Sequence, residues 1–309
     1  MKKYIKIARP DHWVKNAFIL PGIVIAFLLT EFSLTIPQFI VRLICGFFAT
    51  CFIASANYVI NEWLDAEFDQ FHPTKKFRPV VSENMKFSLV MVEYAICIVL
   101  GVVLSLFVNT PFLVVELILL FMGVVYNVKP IRSKDIVYFD VISESVNNML
   151  RLLLGWFIVT NALIPPSSIL IGYWFAGAFL MATKRFAEYR MIGDPEQAGL
   201  YRKSFKYYTE VKLLVSSFFY AMCATFFIGI YMIKYRMQYI FGMPFIFGLF
   251  CFYLAIAFKP DSAAQKPEKL YKEKSLLLYL LVLVIVLLAL TLVDIPMPDY
   301  WLNPTLFSV

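Results

Sequence analysis

Long apolar stretches alternate with short polar breaks along the whole chain. Each stretch has about 17 to 25 residues, which is the length that a helix needs to cross a bilayer. None of them alternates polar and apolar residues as a strand would, and irregular backbone in lipid would leave polar groups unsatisfied. The pattern therefore predicts an all-α, polytopic membrane protein that forms a single domain over residues 1–309. Its nine transmembrane helices are predicted at 17–34, 38–60, 87–108, 111–127, 136–160, 167–185, 211–233, 238–258 and 275–293.

The composition supports the same class of protein. Hydrophobic residues make up 61% of the 309 positions and charged residues only 16%, whereas soluble domains are nearer half apolar and a quarter charged. These proportions exclude a soluble enzyme, a disordered chain and a small secreted scaffold. The five cysteines lie in apolar runs without paired spacing, and there are only two histidines. Neither a disulfide framework nor a His-based metal site is therefore predicted.

The positive charges predict the orientation in the membrane. The net charge is +7, and all but four of the 28 lysine and arginine residues lie in the N-terminal segment or in every second break between the predicted helices. Positively charged loops face the cytoplasm, so the N-terminus is predicted to be cytoplasmic. Nine spans then place the C-terminus on the opposite side of the cell (inner or plasma) membrane. Because the bases are spread over separate loops rather than one patch, nucleic-acid binding is not expected.

One segment carries the residues expected for chemistry. The second predicted helix continues beyond its apolar run into Asn61, Asp65 and Asp69, which are spaced i, i+4 and i+8 and so share one helix face. Mg²⁺ is commonly bound by one or two carboxylates together with substrate phosphate oxygens. Lys75 and Arg78 follow closely and could bind phosphate. The alternative is an ordinary solvated helix end of mixed charge, but the shared face and the adjacent bases favour a diphosphate site.

A family resemblance rests on this segment and three others. The NxxxDxxxD pattern in a chain of nine predicted helices resembles the UbiA-type membrane prenyltransferase superfamily. ARPDHWVKN at 8–16, NEWLDAEFDQFHPTKKFRP at 61–79, TKRFAEYR at 183–190 and RKSFKYYT at 202–209 resemble one branch of it. That branch is the polyprenyl-phosphate (decaprenyl-phosphate) phosphoribosyltransferases. It implies a UbiA-type bundle whose active-site cavity faces the cytoplasm.

The resemblance also implies a reaction. A 5-phosphoribosyl group would pass from 5-phosphoribosyl-1-diphosphate to a polyprenyl phosphate of the decaprenyl or undecaprenyl type. The products would be polyprenylphosphoryl-5-phosphoribose and diphosphate, for cell-envelope glycan synthesis. Asn61, Asp65 and Asp69 would be the catalytic residues and the Mg²⁺ ligands. The residues expected to bind substrate are Lys15, Asn16, Lys75, Arg78, Lys129, Arg151, Lys184, Arg185 and Glu188.

The sequence is also compatible with other functions. Aromatic prenyltransferases of the superfamily, such as 4-hydroxybenzoate polyprenyltransferase, carry a second aspartate motif where this chain has Lys184, Arg185, Glu188 and Arg190. This difference disfavours that activity, and a non-enzymatic transporter is more remote. Glu62 stands where the superfamily usually has aspartate, so its metal role is left open. A homo-oligomer is also left open.

A polar stripe within the fifth predicted helix allows two interpretations. The stripe is either an internal structural network or the wall of the same cavity, since ionisable groups in a span usually pair or face a cavity. It consists of Asp140, Ser143, Asn147 and Arg151.

Overall fold

The computed structural model describes residues 2–260, 262–265, 267–293 and 295, and every regular element within these ranges is helical. The predicted location of the C-terminus, Val309, lies outside the described residues. Short 3₁₀ segments join the α-helices. Those that carry or adjoin predicted site residues or their partners are Pro10–Ile19, Lys75–Phe77, Ser133–Asp135 and Lys203–Lys206. The α-helices are α1 (Lys2–Ile7), α2 (Leu20–Leu29), α3 (Ile36–Asp69), α4 (Pro79–Ser82), α5 (Phe87–Leu106), α6 (Thr110–Asn127), α7 (Phe139–Val159), α8 (Ser167–Ile192), α9 (Pro195–Tyr201), α10 (Glu210–Tyr235), α11 (Met243–Ala257) and α12 (Lys274–Leu292).

The helices agree with a membrane protein, and seven stretches among the described residues are long and apolar enough to cross a bilayer. The helices α7 and α8 lie where two further spans are predicted. They are not among the seven, because the charged side chains they carry reduce their apolarity. The all-helical membrane architecture is confirmed, whereas the number of nine spans stays a prediction. The seven stretches are Lys3–Leu29, Ile36–Asp69, Phe87–Leu106, Thr110–Asn127, Glu210–Tyr235, Met237–Ala257 and Lys274–Leu292.

Two long helices carry some of the predicted site residues beyond the apolar core. α3 has 34 residues, which is about 50 Å at 1.5 Å per residue and exceeds the roughly 30 Å hydrocarbon layer. Its last turns, with Asn61 to Asp69, are helical as predicted. α8 has 26 residues and continues to Ile192, seven residues beyond its predicted end. It stops at Gly193, whose φ of 73° is a left-handed conformation that favours glycine.

Close packing of α2 on α7 fixes the N-terminal segment. A Cβ atom at Gly22 would lie 2.0 Å from the carbonyl oxygen of Leu152, and one at Gly155 would lie 1.9 Å from that of Ile19. The two backbones can therefore touch only because both positions lack a side chain. Around this contact a hydrophobic core joins α2, α3, α6 and α7. The 3₁₀ segment Pro10–Ile19 is consequently held against α7, beside the polar stripe.

A second core holds the other half of the bundle. α8 packs between α7 and α10, and its buried face includes Phe179 and Phe186. Phe205, which follows α9, belongs to the same core. The loops after α3, α6 and α8 thereby meet at one end of the bundle, where α9 contacts both α3 and α8.

Candidate active site

Two adjoining cavities open at the end of the bundle where the loops after α3, α6 and α8 meet. The smaller, of about 360 Å³, is lined by Asn61 and Asp65 together with the predicted bases Arg151 and Arg185. The larger, of about 600 Å³, includes Glu188 in its wall. The two cavities share a set of mostly basic residues, so positive charge lies between them. The shared residues are Arg9, His12, Lys15, Lys75, Arg78 and Lys184.

The structure brings two of the three predicted metal ligands to the smaller cavity. Asn61 and Asp65 lie in its wall, one turn apart on α3. Asp69 is one turn further on, is buried, and lines neither of the two cavities just described. Its Oδ2 atom forms an ion pair with Arg78. Asp69 therefore holds a base of the shared wall in the present arrangement.

The end of α6 and the loop after it supply partners for Asn61 and Asp65. The Oδ1 atom of Asp65 accepts hydrogen bonds from Arg132 (2.9 Å) and from Lys134. Asn61 donates to the side-chain oxygen of Asn127 at 2.6 Å, and Lys134 donates to the same oxygen at 2.7 Å. Burial lowers the pKa of Lys134 to about 8, although Asp65 acts in the opposite direction. Arg132 has a φ of 32°, so this contact is built on a strained backbone.

These oxygen atoms fit a magnesium ion that is bound together with a substrate. Among the described residues, no group of three or more His, Cys, Asp or Glu side chains could hold a metal ion. Mg²⁺ needs only one or two carboxylates when phosphate and water complete its octahedron. The contacts above use Oδ1 of Asp65 and the amide nitrogen of Asn61. Within the ranges that the structure describes, Oδ2 of Asp65 and the side-chain oxygen of Asn61 accept no hydrogen bond, so both are available to a cation.

Glu62 lies on the side of the larger cavity and is paired with a base. Its Oε2 atom accepts from the Nε and Nη2 atoms of Arg9 at 3.1 Å and 2.7 Å. Arg9 has a φ of 49°, a strained conformation for a residue other than glycine. The carboxylate therefore positions Arg9 in the wall that both cavities share.

A buried cluster surrounds Glu188, at the position where the family resemblance implies a second aspartate motif in aromatic prenyltransferases. Glu188 Oε1 accepts from Lys75 and from the Tyr201 hydroxyl (3.1 Å), and Oε2 accepts from Arg185 at 3.3 Å. His72 Nδ1 accepts from two backbone N–H groups of the following loop, so its proton lies on Nε2, 3.4 Å from Glu188. Burial lowers the pKa of His72 below its usual range. The neutral His72 ring therefore packs against Glu188 as a structural part of the cluster.

Arg185 is held from three directions. Besides Glu188, it donates to the Tyr126 hydroxyl at 2.8 Å, and its Nε atom lies 3.5 Å from Asp140 Oδ2. The Tyr126 hydroxyl also accepts from Arg202 at 3.4 Å. Asp140 is fully buried and accepts from the Tyr208 hydroxyl at 2.7 Å. This end of the α7 stripe is therefore a structural network, as one of the two interpretations proposed.

The other end of the stripe lines the cavity, which agrees with the second interpretation. Arg151 is in the wall of the smaller cavity and donates to Asn16 Oδ1 at 3.1 Å. Asn16 is buried and lines neither of the two large cavities, so it supports Arg151 instead of facing a substrate there. Lys129 is exposed and is also absent from both walls. Its loop presents Arg132 and Lys134 to Asp65 instead.

Several residues of the site were not among those predicted to bind substrate. Arg9, Tyr201 and Arg202 line the smaller cavity, while Arg132 and Lys134 approach Asp65. Arg9 and Arg202 belong to the basic motifs at 8–16 and 202–209, which was a usable signal. Nothing in the local sequence singled out Tyr201.

Part of the lining of the smaller cavity is apolar, and we call this part the apolar wall. It is built by α8, α11, α12, the 3₁₀ segment Pro10–Ile19 and the 3₁₀ segment Pro267–Lys272 before α12. The same cavity is also lined by bases, so it suits a ligand with an anionic head and a hydrocarbon tail. The apolar wall includes Phe18, Leu180, Met181, Tyr253, Leu270, Leu276, Leu277 and Leu280.

Known proteins are similar to this chain in sequence and in fold. The chain is 28% identical over 235 residues to the decaprenyl-phosphate phosphoribosyltransferase of Corynebacterium glutamicum, covering 72% of this chain and 63% of that protein. The match therefore spans less than two thirds of that relative's length. The protein of the same name from Mycobacterium tuberculosis is 30% identical over 214 residues, or 68% of this chain and 67% of that protein.

The fold is also similar to that of a solved structure, and a family model matches most of the chain. A UbiA homolog from Archaeoglobus fulgidus bound to GPP and Mg²⁺ superposes with a TM-score of 0.68 at 18% identity, covering 91% of this chain and 99% of that one. This likeness concerns the fold. A model described as the UbiA prenyltransferase family matches residues 18–282. With its helical bundle and its aspartate segment at the end of α3, the chain belongs to the UbiA prenyltransferase family.

Proposed function

We propose that the protein transfers the 5-phosphoribosyl group of 5-phosphoribosyl-1-diphosphate to the phosphate of a long polyprenyl phosphate. One observation carries this proposal: the cavity beside Asn61 and Asp65 is lined both by bases and by apolar side chains. Such a cavity accommodates two anionic substrates, of which one is a lipid. The names of the corynebacterial and mycobacterial relatives support the same reaction.

The donor diphosphate would lie against the end of α3. Asn61, Asp65 and Asp69 would hold Mg²⁺, which supplies neutralisation of the diphosphate leaving group. Arg78 and Lys75 stand in the wall shared by the two cavities and would bind phosphate oxygens. Asp69 and Glu188 hold these two bases in place. Asp69 would therefore have to exchange part of its contact with Arg78 for the ion.

The chemistry would depend on positioning and charge. An oxygen of the lipid phosphate forms the new bond to C1 of the ribosyl group as the C1–O bond to diphosphate breaks. Charge develops on the ring as in glycosyl transfer. The acceptor is already anionic, so no base has to remove a proton. This agrees with a His72 ring that is neutral and directed at Glu188. Lys184 and Arg185 would hold an anionic group opposite the metal.

The apolar wall would hold the first isoprene units of the acceptor. Leu276, Leu277 and Leu280 are on α12, which is among the membrane-spanning stretches. A lipid phosphate could thus reach the cavity from the bilayer while the soluble donor enters through the larger, polar cavity. We further propose nine spans in the cell membrane, with the site facing the cytoplasm where the donor is soluble. A reporter fused at Val309 should then lie outside the cytoplasm, and a cytoplasmic signal would contradict this topology.

Prenyl transfer to an aromatic acceptor is the alternative within the family. It is favoured by the Archaeoglobus fulgidus homolog, whose structure contains GPP and Mg²⁺. It is disfavoured by the site itself, because Lys184, Arg185 and Glu188 occupy the place of a second carboxylate pair. Cations at this position favour a second phosphate over a second metal ion. A transporter without chemistry would not need the Asn61 and Asp65 arrangement.

A single assay separates these functions. Purified protein in lipid nanodiscs would be incubated with Mg²⁺, 5-phosphoribosyl-1-diphosphate labelled in the ribose, and polyprenyl phosphate. We expect label in the lipid phase, and none when EDTA removes the metal. Labelled polyprenyl diphosphate with 4-hydroxybenzoate is the parallel reaction. Label in the aromatic product, with none in the lipid from the ribosyl donor, would overturn the proposal in favour of the alternative.

A further inference from the structure

An unpaired acid stands in the base-lined cavity. Eight lysine and arginine side chains line the smaller cavity, and two carboxylates, Asp65 and Glu144, lie among them. Asp65 is paired with Arg132 and Lys134. In the part of the chain that the structure describes, no hydrogen bond or ion pair engages the half-buried Glu144. A free carboxylate repels phosphate, so its presence in an anion-binding cavity requires a different partner.

A carboxamide stands beside this acid. Asn148 is four residues after Glu144 on α7, so the two side chains share one helix face, and both line the smaller cavity. Gly177 of α8 makes room for the carboxamide, because a Cβ atom there would lie 2.4 Å from Asn148 Nδ2. The Asn148 carboxamide therefore occupies space that a side chain at position 177 would fill.

We infer that Glu144 and Asn148 recognise the 2- and 3-hydroxyl groups of the ribosyl donor. The inference rests on the proposed function and adds the determinant of sugar specificity. A carboxylate accepts two hydrogen bonds from a vicinal diol, and a carboxamide can both donate and accept. The diol is the uncharged part of the donor and lies between its 5-phosphate and its diphosphate. It is therefore the part that can face Glu144 while the phosphates face the bases.

The same contact would separate phosphoribosyl from prenyl donors. A prenyl diphosphate has no hydroxyl group at its reacting end and would leave the Glu144 carboxylate desolvated without a hydrogen bond. A site built to bind a hydroxyl group rejects an analogue that lacks it, because its buried polar group is then unpaired. Hydrogen bonds to the 2-hydroxyl also strengthen as charge develops on the ring. Glu144 would thus favour both the binding and the reaction of a ribosyl donor.

The test compares donors on one preparation of each protein. Wild type, Glu144→Gln, Asn148→Ala and the control Glu83→Gln, an exposed acid outside both cavities, would be assayed for kcat/KM. The donors are 5-phosphoribosyl-1-diphosphate and its 2-deoxy and 3-deoxy analogues. A hydrogen bond to a charged group corresponds to roughly 10- to 100-fold. We expect wild type and Glu83→Gln to disfavour at least one deoxy donor by this factor.

Glu144→Gln should lose roughly the same factor with the natural donor and little with that deoxy donor, so that the preference falls to about threefold or less. Asn148→Ala should show a smaller loss in the same direction. The ratio between two donors does not depend on the folded fraction, so a poorly folded variant still gives a valid result. Equal losses with all donors would overturn the inference and leave the proposed function intact. Failure of wild type to use any ribosyl donor would overturn both.

Discussion

Replacing Glu188 by glutamine would leave Lys75 and Arg185 without the carboxylate that they share. The Glu188 side chain is 4% exposed and that of Lys75 is 20% exposed, so their ion pair is largely shielded from water. Glu188 also accepts from Tyr201 and lies 3.4 Å from His72. A glutamine keeps the size of the side chain and one acceptor oxygen but removes the charge. The substitution therefore tests the electrostatic part of the cluster.

The cost can be estimated from the burial. Breaking a buried ion pair by removing one partner costs about 3–5 kcal/mol, because the other charge is left uncompensated. Lys75 keeps some contact with water, so we expect the lower end, about 3 kcal/mol. A chain of this size changes its melting temperature by roughly 2 °C per kcal/mol. Glu188→Gln should therefore lower the Tm by about 6 °C.

The assay is thermal unfolding of the purified protein in detergent, followed by the loss of the monodisperse species. Lys75→Met in the Glu188→Gln background removes the uncompensated cation and should restore about half of the lost stability. Lys76→Met, at the exposed neighbouring lysine, is the matched control and should change the Tm by no more than about 1 °C. If adding Lys75→Met to Glu188→Gln restores no stability, Lys75 and Glu188 are not coupled and the reasoning is wrong.

Three further results are expected. Asp65→Asn should lower transfer by more than about 100-fold, since losing only an outer-shell partner costs 10- to 100-fold; a Mg²⁺ titration showing unchanged affinity and rate would contradict its metal role. Gly155→Ala should lower stability by about 1–3 kcal/mol because the α2 and α7 backbones must separate, whereas Gly229→Ala, whose Cβ would have its nearest neighbour at 3.9 Å, should change it little in the same thermal assay. Lys184→Met should raise the KM of an anionic substrate severalfold, while Lys129→Met should leave kcat/KM within twofold; equal effects would refute their different placement.

In the aspartate segment, local spacing predicts the shared helix face but not the basic residues that contact it. A period of four residues on a helix places Asn61, Asp65 and Asp69 on one face whatever the rest of the chain does. Spacing cannot say which bases meet that face. The partners Arg132 and Lys134 lie 67 and 69 residues from Asp65 in sequence. Their selection over Lys129 depends on how the loop after α6 folds back, and this is a matter of tertiary contact.

The α7 stripe likewise shows that helical period does not predict which residues of a face are buried. Its period showed that Asp140 and Arg151 lie on one face, and two interpretations remained. The structure divides the stripe between them, because α8 and the loop before α10 cover Asp140 while the cavity reaches Arg151. The seven residues by which α8 exceeds its predicted end have a similar cause, since charged side chains at a bundle end can stay helical where an apolar run has stopped.

The sequence by itself determined the membrane class, the helical architecture and the family, because the length of apolar runs, the absence of strand alternation and short helical motifs are local properties. Which charges neutralise one another was decided only by the tertiary structure. The pairs Arg9 with Glu62, Arg132 with Asp65 and Lys75 with Glu188 each join residues more than 50 positions apart. Such pairs form where packed helices bring their ends together, and close backbone contacts, such as that of α2 with α7 at Gly155, set where those ends lie.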